Sequence, residues 1–231
     1  MVLAAGRGSR LRPLTDSCPK PLLEVGGETL LGRQLRQLAG AGLGHVLVNT
    51  GWLGSEIHGA YPPQQPASSQ LPTLSYSDEG WPALETGGGV ARALPLLARD
   101  SFLICNADVY SDFPLAQLLA RAASLPAGRL AHLIMVANPD HNAEGDFALQ
   151  GEQLSESGSP RLTYSGMAVL RPQLFKGCAP GAFPLAPLLR RAMAQGQVSG
   201  ERYDGYWSDV GTPERLAQTR AWAASQADTA S

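Results

Sequence analysis

Apolar residues recur along this chain in two rhythms. Short, largely apolar runs fall at 1–5, 45–50, 102–106 and 130–136, as expected of strands covered on both faces. Between them the apolar positions open to helical spacing, as at Leu31, Leu35 and Leu38 within 29–39. The same reading places helices at 88–97, 115–123 and 185–195, and strands at 74–77, 147–149, 162–170 and 206–210. Residues 61–72 are rich in proline, glutamine and serine and read as a surface loop; 151–160 read as a polar turn. Thr212-Pro213-Glu214 supplies an N-cap, a first-turn proline and an acidic first turn, so a last helix opens there. The tail from Gln226 to Ser231 is expected to be irregular.

Strands alternating with helices predict an α/β fold of three layers, Rossmann-like, with a mostly parallel mixed sheet covered on both faces. Ligands of such sheets sit beyond the carboxyl ends of the strands. The chain's 231 residues fit one domain, 1–225, and show no internal repeat. A net charge of -2 gives no basic face for nucleic acid. No apolar run reaches the roughly 18 residues of a membrane span, and no secretory signal is visible. Cys18, Cys105 and Cys178 are far apart and odd in number, which fits a reducing cytoplasm and argues against disulfides or a zinc site. A monomer is favoured, with the oligomeric state left open.

Candidate chemistry concentrates at the end of the first strand. Leu3-Ala4-Ala5-Gly6-Arg7-Gly8-Ser9-Arg10-Leu11-Arg12-Pro13-Leu14-Thr15 is followed by Pro19-Lys20-Pro21-Leu22. Glycine lets backbone amides close on a phosphate. Arginine grips phosphate oxygens in a fork, and lysine acts as a point charge. The loop lacks the G-x-x-x-x-G-K-[ST] pattern, and Leu11 stands where a dinucleotide fingerprint needs its third glycine. Of 18 cationic residues only Lys20 and Lys176 are lysines, so Lys20 is a position where arginine did not suffice. These features fit a site that holds a nucleoside triphosphate. Asp108 closes an apolar strand and Asp209 lies within another; a buried carboxylate is costly unless paired, and a hard cation such as magnesium would offset that cost. Asp112, before Phe113-Pro114, reads as a turn residue. His45 and His132 read as core or edge residues, His58 and His141 as exposed, and no serine-histidine-acid pattern stands out.

The string from Leu3 to Thr15, with Pro19-Lys20-Pro21-Leu22 after it, resembles the signature of the sugar-1-phosphate nucleotidyltransferases. Members of that family carry a few more residues before it, so the first strand here reads as clipped. The resemblance extends to Leu84-Glu85-Thr86-Gly87-Gly88-Gly89, Gly145-Asp146-Phe147 and Trp207-Ser208-Asp209-Val210-Gly211-Thr212, and covers nearly the whole chain. It implies that residues 1–125 mainly bind nucleotide through Leu3, Ala4, Ala5, Gly6, Arg7, Gly8, Lys20, Glu79, Thr86, Gly87 and Asn106. Lys20 and Arg10 would be catalytic, and Asp108 and Asp209 would hold magnesium. Residues 126–225 would mainly bind sugar, through Asn138, Gly145, Asp146, Ser165 and Gly166. Glu79 is followed by one residue more than the family's spacing, and Ala107 replaces its usual glycine. Many members carry a lysine that meets the sugar phosphate between Gly145 and Tyr164; none occurs here. A second magnesium ion would take its place. That absence narrows the similarity to the bacterial N-acetylmuramate-1-phosphate uridylyltransferases of peptidoglycan recycling. Alternatives are guanylyl transfer to mannose 1-phosphate, thymidylyl or uridylyl transfer to glucose 1-phosphate, and a non-catalytic nucleotide-sugar sensor. Arg190, Arg191 and Arg202 are further cations for a substrate carboxylate.

Overall fold

A computed structural model describes residues 1–97 and 100–229. The chain forms two compact units that interleave along the sequence. One comprises Val2–Ala83, Asn106–Asp112 and Tyr206–Ser231; the other comprises Met1, Leu84–Cys105 and Phe113–Gly205.

In the first unit the strands Val2–Leu3, His45–Thr50 and Thr73–Asp78 run parallel, with Leu3 opposite Asn49 and Thr50 opposite Asp78. Right-handed crossovers between parallel strands require intervening helix, and helix Leu30–Gly40 supplies the first of them. Thr29 caps it by accepting from Gly32 N (2.9 Å). Its apolar stripe, Leu31, Leu35 and Leu38, is buried as the spacing required. Beneath the loops lies a core of Leu11, Leu23, Val25, Leu30, Tyr110, Val210, Leu216 and Ala223. Each fully buried leucine there contributes about 1.5–3 kcal/mol. Helix Pro213–Thr229 is pinned to it by Trp222, stacked on Tyr206 at 3.7 Å. The helix continues past Gln226, so the expected irregular tail does not begin there; residues 230–231 lie outside the described residues.

In the second unit strand Arg161–Leu170 is antiparallel to Phe102–Asn106 (Leu170 opposite Phe102) and to Ala131–Val136. Strand Val198–Tyr203 runs parallel to Ala131–Val136, and the hairpin Phe147–Gln150 with Gln153–Ser155 pairs beyond it. The strands are therefore parallel in the first unit and mixed in the second, within an α/β class. Strands Gln153–Ser155 and Val198–Tyr203, the ribbon strand Val109–Ser111 and helix Gly54–Ala60 were not legible in the apolar pattern. The first two hold small or charged residues, and the helix is one short turn pair with only Ile57 buried. Among the described residues no helix is long and apolar enough to cross a membrane.

Candidate active site

The glycine loop is shaped by bonds back to the first unit's strands. Ala4 N donates to Asn49 Oδ1 (2.8 Å), and Ala5 O accepts from Trp52 N (3.2 Å). Asn49 is 3% exposed; an unmatched polar group at that depth is costly, and here both halves of its amide are used. Its Nδ2 donates to Glu79 Oε1, which ties the acidic residue after strand Thr73–Asp78 to the loop. Nothing lies within 4 Å of a Cβ added at Gly6, so the protein's own packing does not require glycine there and the backbone stays approachable. Gly8 is different. Its φ is 66°, and a Cβ would meet Lys20 Cβ and Cδ and Thr15 Cγ2, each at 3.2 Å. The loop thus closes on the stem of the lysine. Trp52 completes the frame: its Nε1 donates to Thr15 O (2.9 Å), and Arg7 lies 4.2 Å over its ring.

Lys20 is 8% exposed, between Pro19 and Pro21, and its ammonium forms an ion pair with Asp108 Oδ2. Asp108 is held by a short ribbon in which Asp209 stands opposite Val109, while Val210 N donates to Asp108 O (2.8 Å). Asp108 and Asp209 therefore lie diagonally across the ribbon from each other. Helix Leu30–Gly40 secures the ribbon with polar side chains: Gln34 Nε2 donates to Val109 O (2.9 Å), and Gln37 Nε2 and Arg33 Nη2 to Ser111 O (2.9 Å each). Arg215 Nη1 donates to both carboxylate oxygens of Asp209, to Oδ1 at 2.6 Å and to Oδ2 at 2.7 Å. A Cβ at Gly211 would collide with Arg215 Nη2 and come within 3.0 Å of Arg10 Nη2, so both guanidinium groups converge on that glycine. Neither aspartate has a cationic partner evident from sequence spacing; in the structure the partners are Lys20 and Arg215. Lys20 was visible as a rare residue type. Arg215, Asn49 and Gln34 were missed, although a lone amide inside the apolar run 45–50 was a usable signal.

The carboxylates of Asp108 and Asp209 are hard oxygen donors of the kind magnesium prefers. No group of three or more His, Cys, Asp or Glu side chains that could hold a metal occurs among the described residues. The remaining coordination must then come from phosphate oxygens and water, which is magnesium's habit in phosphoryl chemistry. The donor set fits a metal that arrives with its nucleotide.

The second unit gathers the other candidates. Asn138 Nδ2 donates to Ala143 O (3.0 Å) and Arg161 O (3.2 Å), and Oδ1 accepts from Thr163 Oγ1 (3.0 Å). Gly145, at φ 64°, lies on that amide; a Cβ would sit 2.8 Å from Asn138 Oδ1. Asp146 Oδ2 accepts from Tyr164 N (2.8 Å), and Ser165 Oγ from Met167 N (3.2 Å), across a bulge between Tyr164 and Ala168 that includes Gly166 at φ 81°. Asn138, Gly145, Asp146, Ser165 and Gly166 thus belong to one bonded framework, with Arg161 clamped to the carbonyls of Gly145 (3.2 Å) and Asp146 (2.9 Å). Burial holds the Tyr164 phenol far above its ordinary range and pushes the Cys105 thiol up to about 11. Arg190 pairs with Glu156 (3.2 Å), Arg202 with Asp204 (2.6 Å), and Arg191 donates to Leu174 O (3.4 Å). Gly87 and Gly88 open helix Glu85–Ala93. A Cβ on Gly87 would meet the Phe183 ring at 2.6 Å, and one on Gly88 would collide with Gly181 O, so packing alone demands glycine at both. Thr86 beside them is exposed. Asn106 ends its strand next to the Asp108 ribbon. His58, expected to be exposed, is half-buried: its Nε2 bonds Thr50 Oγ1 (3.1 Å) and its ring packs on Tyr76 at 4.0 Å.

Residues 1–159 match the MobA-like NTP transferase domain. The N-acetylmuramate alpha-1-phosphate uridylyltransferase of Neisseria meningitidis serogroup B is 44% identical over 227 residues, covering 96% of this chain and 97% of that protein. The Caulobacter vibrioides protein of the same name is 33% identical, covering 93% and 92%. A mannose-1-phosphate guanylyltransferase of Mycobacterium tuberculosis is 36% identical but covers 60% of this chain and 38% of its own length. Among solved structures, UDP-glucose pyrophosphorylase bound to UDP-glucose superposes with a TM-score of 0.78 at 18% identity, covering 97% of each chain. That likeness establishes the Rossmann-like nucleotidyltransferase fold. The phosphate-loop string, the paired aspartates and these near full-length matches agree: the chain belongs to the MobA-like NTP transferase family, among the sugar-1-phosphate nucleotidyltransferases.

Proposed function

We propose that this protein transfers a uridylyl group from UTP to N-acetylmuramic acid α-1-phosphate, giving UDP-N-acetylmuramic acid and pyrophosphate. The observation that carries the reading is the pairing of buried Lys20 with Asp108 beside Asp209, directly against the glycine loop. A phosphate oxygen of the sugar phosphate attacks the α-phosphorus in line, and the bond from that phosphorus to the bridging oxygen of pyrophosphate breaks. The acceptor phosphate is already ionised, so no general base is needed, and catalysis is positioning plus charge stabilisation.

The loop Gly6–Gly8 offers backbone amides to the triphosphate, and Arg10 and Arg7 offer guanidinium groups. Lys20, released from Asp108, stabilises charge at the α-phosphate. Asp108 and Asp209 would hold magnesium, which supplies Lewis-acid stabilisation of the phosphate oxygens when bound. A second ion remains the counter-charge proposed for the sugar phosphate, because no lysine occurs between Lys20 and Lys176. Asn49 sets Glu79 and the loop amide of Ala4 for base and ribose, with Thr86, Gly87 and Asn106 as further nucleotide contacts. Asn138, Gly145, Asp146, Ser165 and Gly166 form the sugar frame. The near full-length relatives at 44% and 33% identity support uridylyl transfer to N-acetylmuramate phosphate, and hence a cytoplasmic role in peptidoglycan recycling. The guanylyltransferase relative, matched over 60% of the chain, supports the alternative less well. Release of pyrophosphate only when UTP and N-acetylmuramic acid α-1-phosphate are supplied together tests the proposal. A sensor would release none.

A further inference from the structure

The ion pair of Arg215 with Asp209 has a consequence for metal binding. Arg215 and Arg10 meet over Gly211, and Arg215 is turned toward Asp209 with both carboxylate oxygens engaged at 2.6 and 2.7 Å. A guanidinium nitrogen between the two oxygens of Asp209 occupies positions that a metal would use. Lys20 pairs with Asp108 Oδ2, so each carboxylate has a cation from within the chain. Metal alone would have to displace a cation and leave that cation without a counter-charge. Metal arriving with a triphosphate would not, because the displaced guanidinium gains phosphate oxygens in place of carboxylate oxygens.

We propose that Arg215 is a gate on the metal site: it holds Asp209 until nucleotide arrives, then moves to the triphosphate beside Arg10. Arg215 is thereby a positioning residue before binding and a phosphate ligand after it. The inference rests on the nucleotidyltransferase reading and on Asp209 as a metal ligand. Gly211 fits the role, because any side chain there would fill the space in which the two guanidinium groups converge. The position of Arg215 in the first turn of helix Pro213–Thr229 fits it as well, since Leu216 next to it is locked in the core while the arginine remains part-exposed.

The coupling is reciprocal: nucleotide should tighten metal binding, and metal should tighten nucleotide binding, by the same factor. The test is Mn²⁺ binding by electron paramagnetic resonance, with and without UTP and with no acceptor present, in the wild type and in Arg215→Met, Arg215→Lys and Asp209→Asn. In the wild type, UTP should tighten Mn²⁺ binding about tenfold or more beyond the metal's affinity for UTP itself. Arg215→Met should bind Mn²⁺ alone about tenfold more tightly than the wild type and lose most of the coupling. Arg215→Lys, which keeps the charge without the guanidinium's further donors, should fall between. A merely structural arginine predicts the opposite, weaker Mn²⁺ binding together with a lower melting temperature. Unchanged or weaker binding of Mn²⁺ alone in both arginine variants, with Asp209→Asn losing it, overturns the gate and leaves the metal site standing. Undiminished Mn²⁺ binding in Asp209→Asn overturns the metal assignment itself.

Discussion

The two units solve the problem of holding a polar site in different ways. In the unit built on Val2–Ala83 the candidate groups are charged and matched in pairs, Lys20 with Asp108 and Arg215 with Asp209, each next to a core anchor such as Val210 or Leu216. In the unit containing Phe113–Gly205 the candidates are braced by hydrogen bonds to backbone, from the Asn138 amide to Ala143 O and Arg161 O and from Tyr164 N to Asp146. Paired charges can exchange partners when a charged ligand arrives. A framework bonded mainly to backbone keeps its shape and selects by fit. The first arrangement suits phosphate chemistry and the second suits sugar recognition.

The largest expected effect lies in the charged unit. Lys20→Ala should lower turnover by more than about a hundredfold, roughly 3–4 kcal/mol of transition-state stabilisation, while UTP affinity falls far less. Rapid-quench turnover with parallel UTP titration checks this, and near-normal turnover refutes a catalytic lysine. Asp108→Asn and Asp209→Asn should each abolish activity, as should chelator with the wild type. Full activity in excess chelator would remove the metal from the account.

Breaking the backbone-bonded framework should act differently. Asn138→Ala strands donors and acceptors of the 143–163 loop and should cost about 1–3 kcal/mol of stability. It should raise KM for the sugar phosphate and leave UTP affinity unchanged. A shift in UTP affinity instead would erase the proposed division of labour. Asn49→Ala should do the reverse, weakening UTP and sparing the acceptor.

The smallest expected effect is a pH dependence of the second unit's stability. His132 is buried, with Nδ1 bonded to Ser199 Oγ (2.9 Å), Glu201 at 3.7 Å from Nε2, and Arg121 bridging Glu201 and Glu152. Burial first, and then the Arg121 charge, lower its pKa against the opposing pull of Glu201. A lowered folded-state value means that the unfolded chain binds the extra proton more readily. Its contribution to stability is therefore complete above about pH 6.5 and is lost as pH falls below that, at no more than about 1.4 kcal/mol per pH unit. Chemical denaturation across pH 5–8 should show this slope, and His132→Gln should flatten it. An unchanged slope in the variant would place the pH dependence elsewhere.

How much of this was readable in advance follows the same division. The phosphate loop, Lys20, Asp108 and Asp209 stood out in the sequence because function had put unusual residue types at strand ends. The buried strands and the amphipathic helix 30–40 were legible because burial imposes a period. Gln34, Asn49 and Arg215 were not, since their importance lies in which distant backbone or carboxylate they meet. The glycines of 87–88 were legible as a motif, but the structure supplies a reason in packing against Gly181 and Phe183. Strand Val198–Tyr203 escaped notice because Ser199, Gly200, Glu201 and Arg202 leave no apolar run between its two ends.

The central claim is uridylyl transfer to a carboxylate-bearing amino sugar phosphate. Pyrophosphate release, measured as kcat/KM across UTP, GTP and dTTP against N-acetylmuramic acid, N-acetylglucosamine, glucose and mannose 1-phosphates, tests it most directly. The account predicts the highest value for UTP with N-acetylmuramic acid α-1-phosphate, and a strong drop for N-acetylglucosamine 1-phosphate, which lacks the lactyl carboxylate. A higher value for any other pair would contradict it.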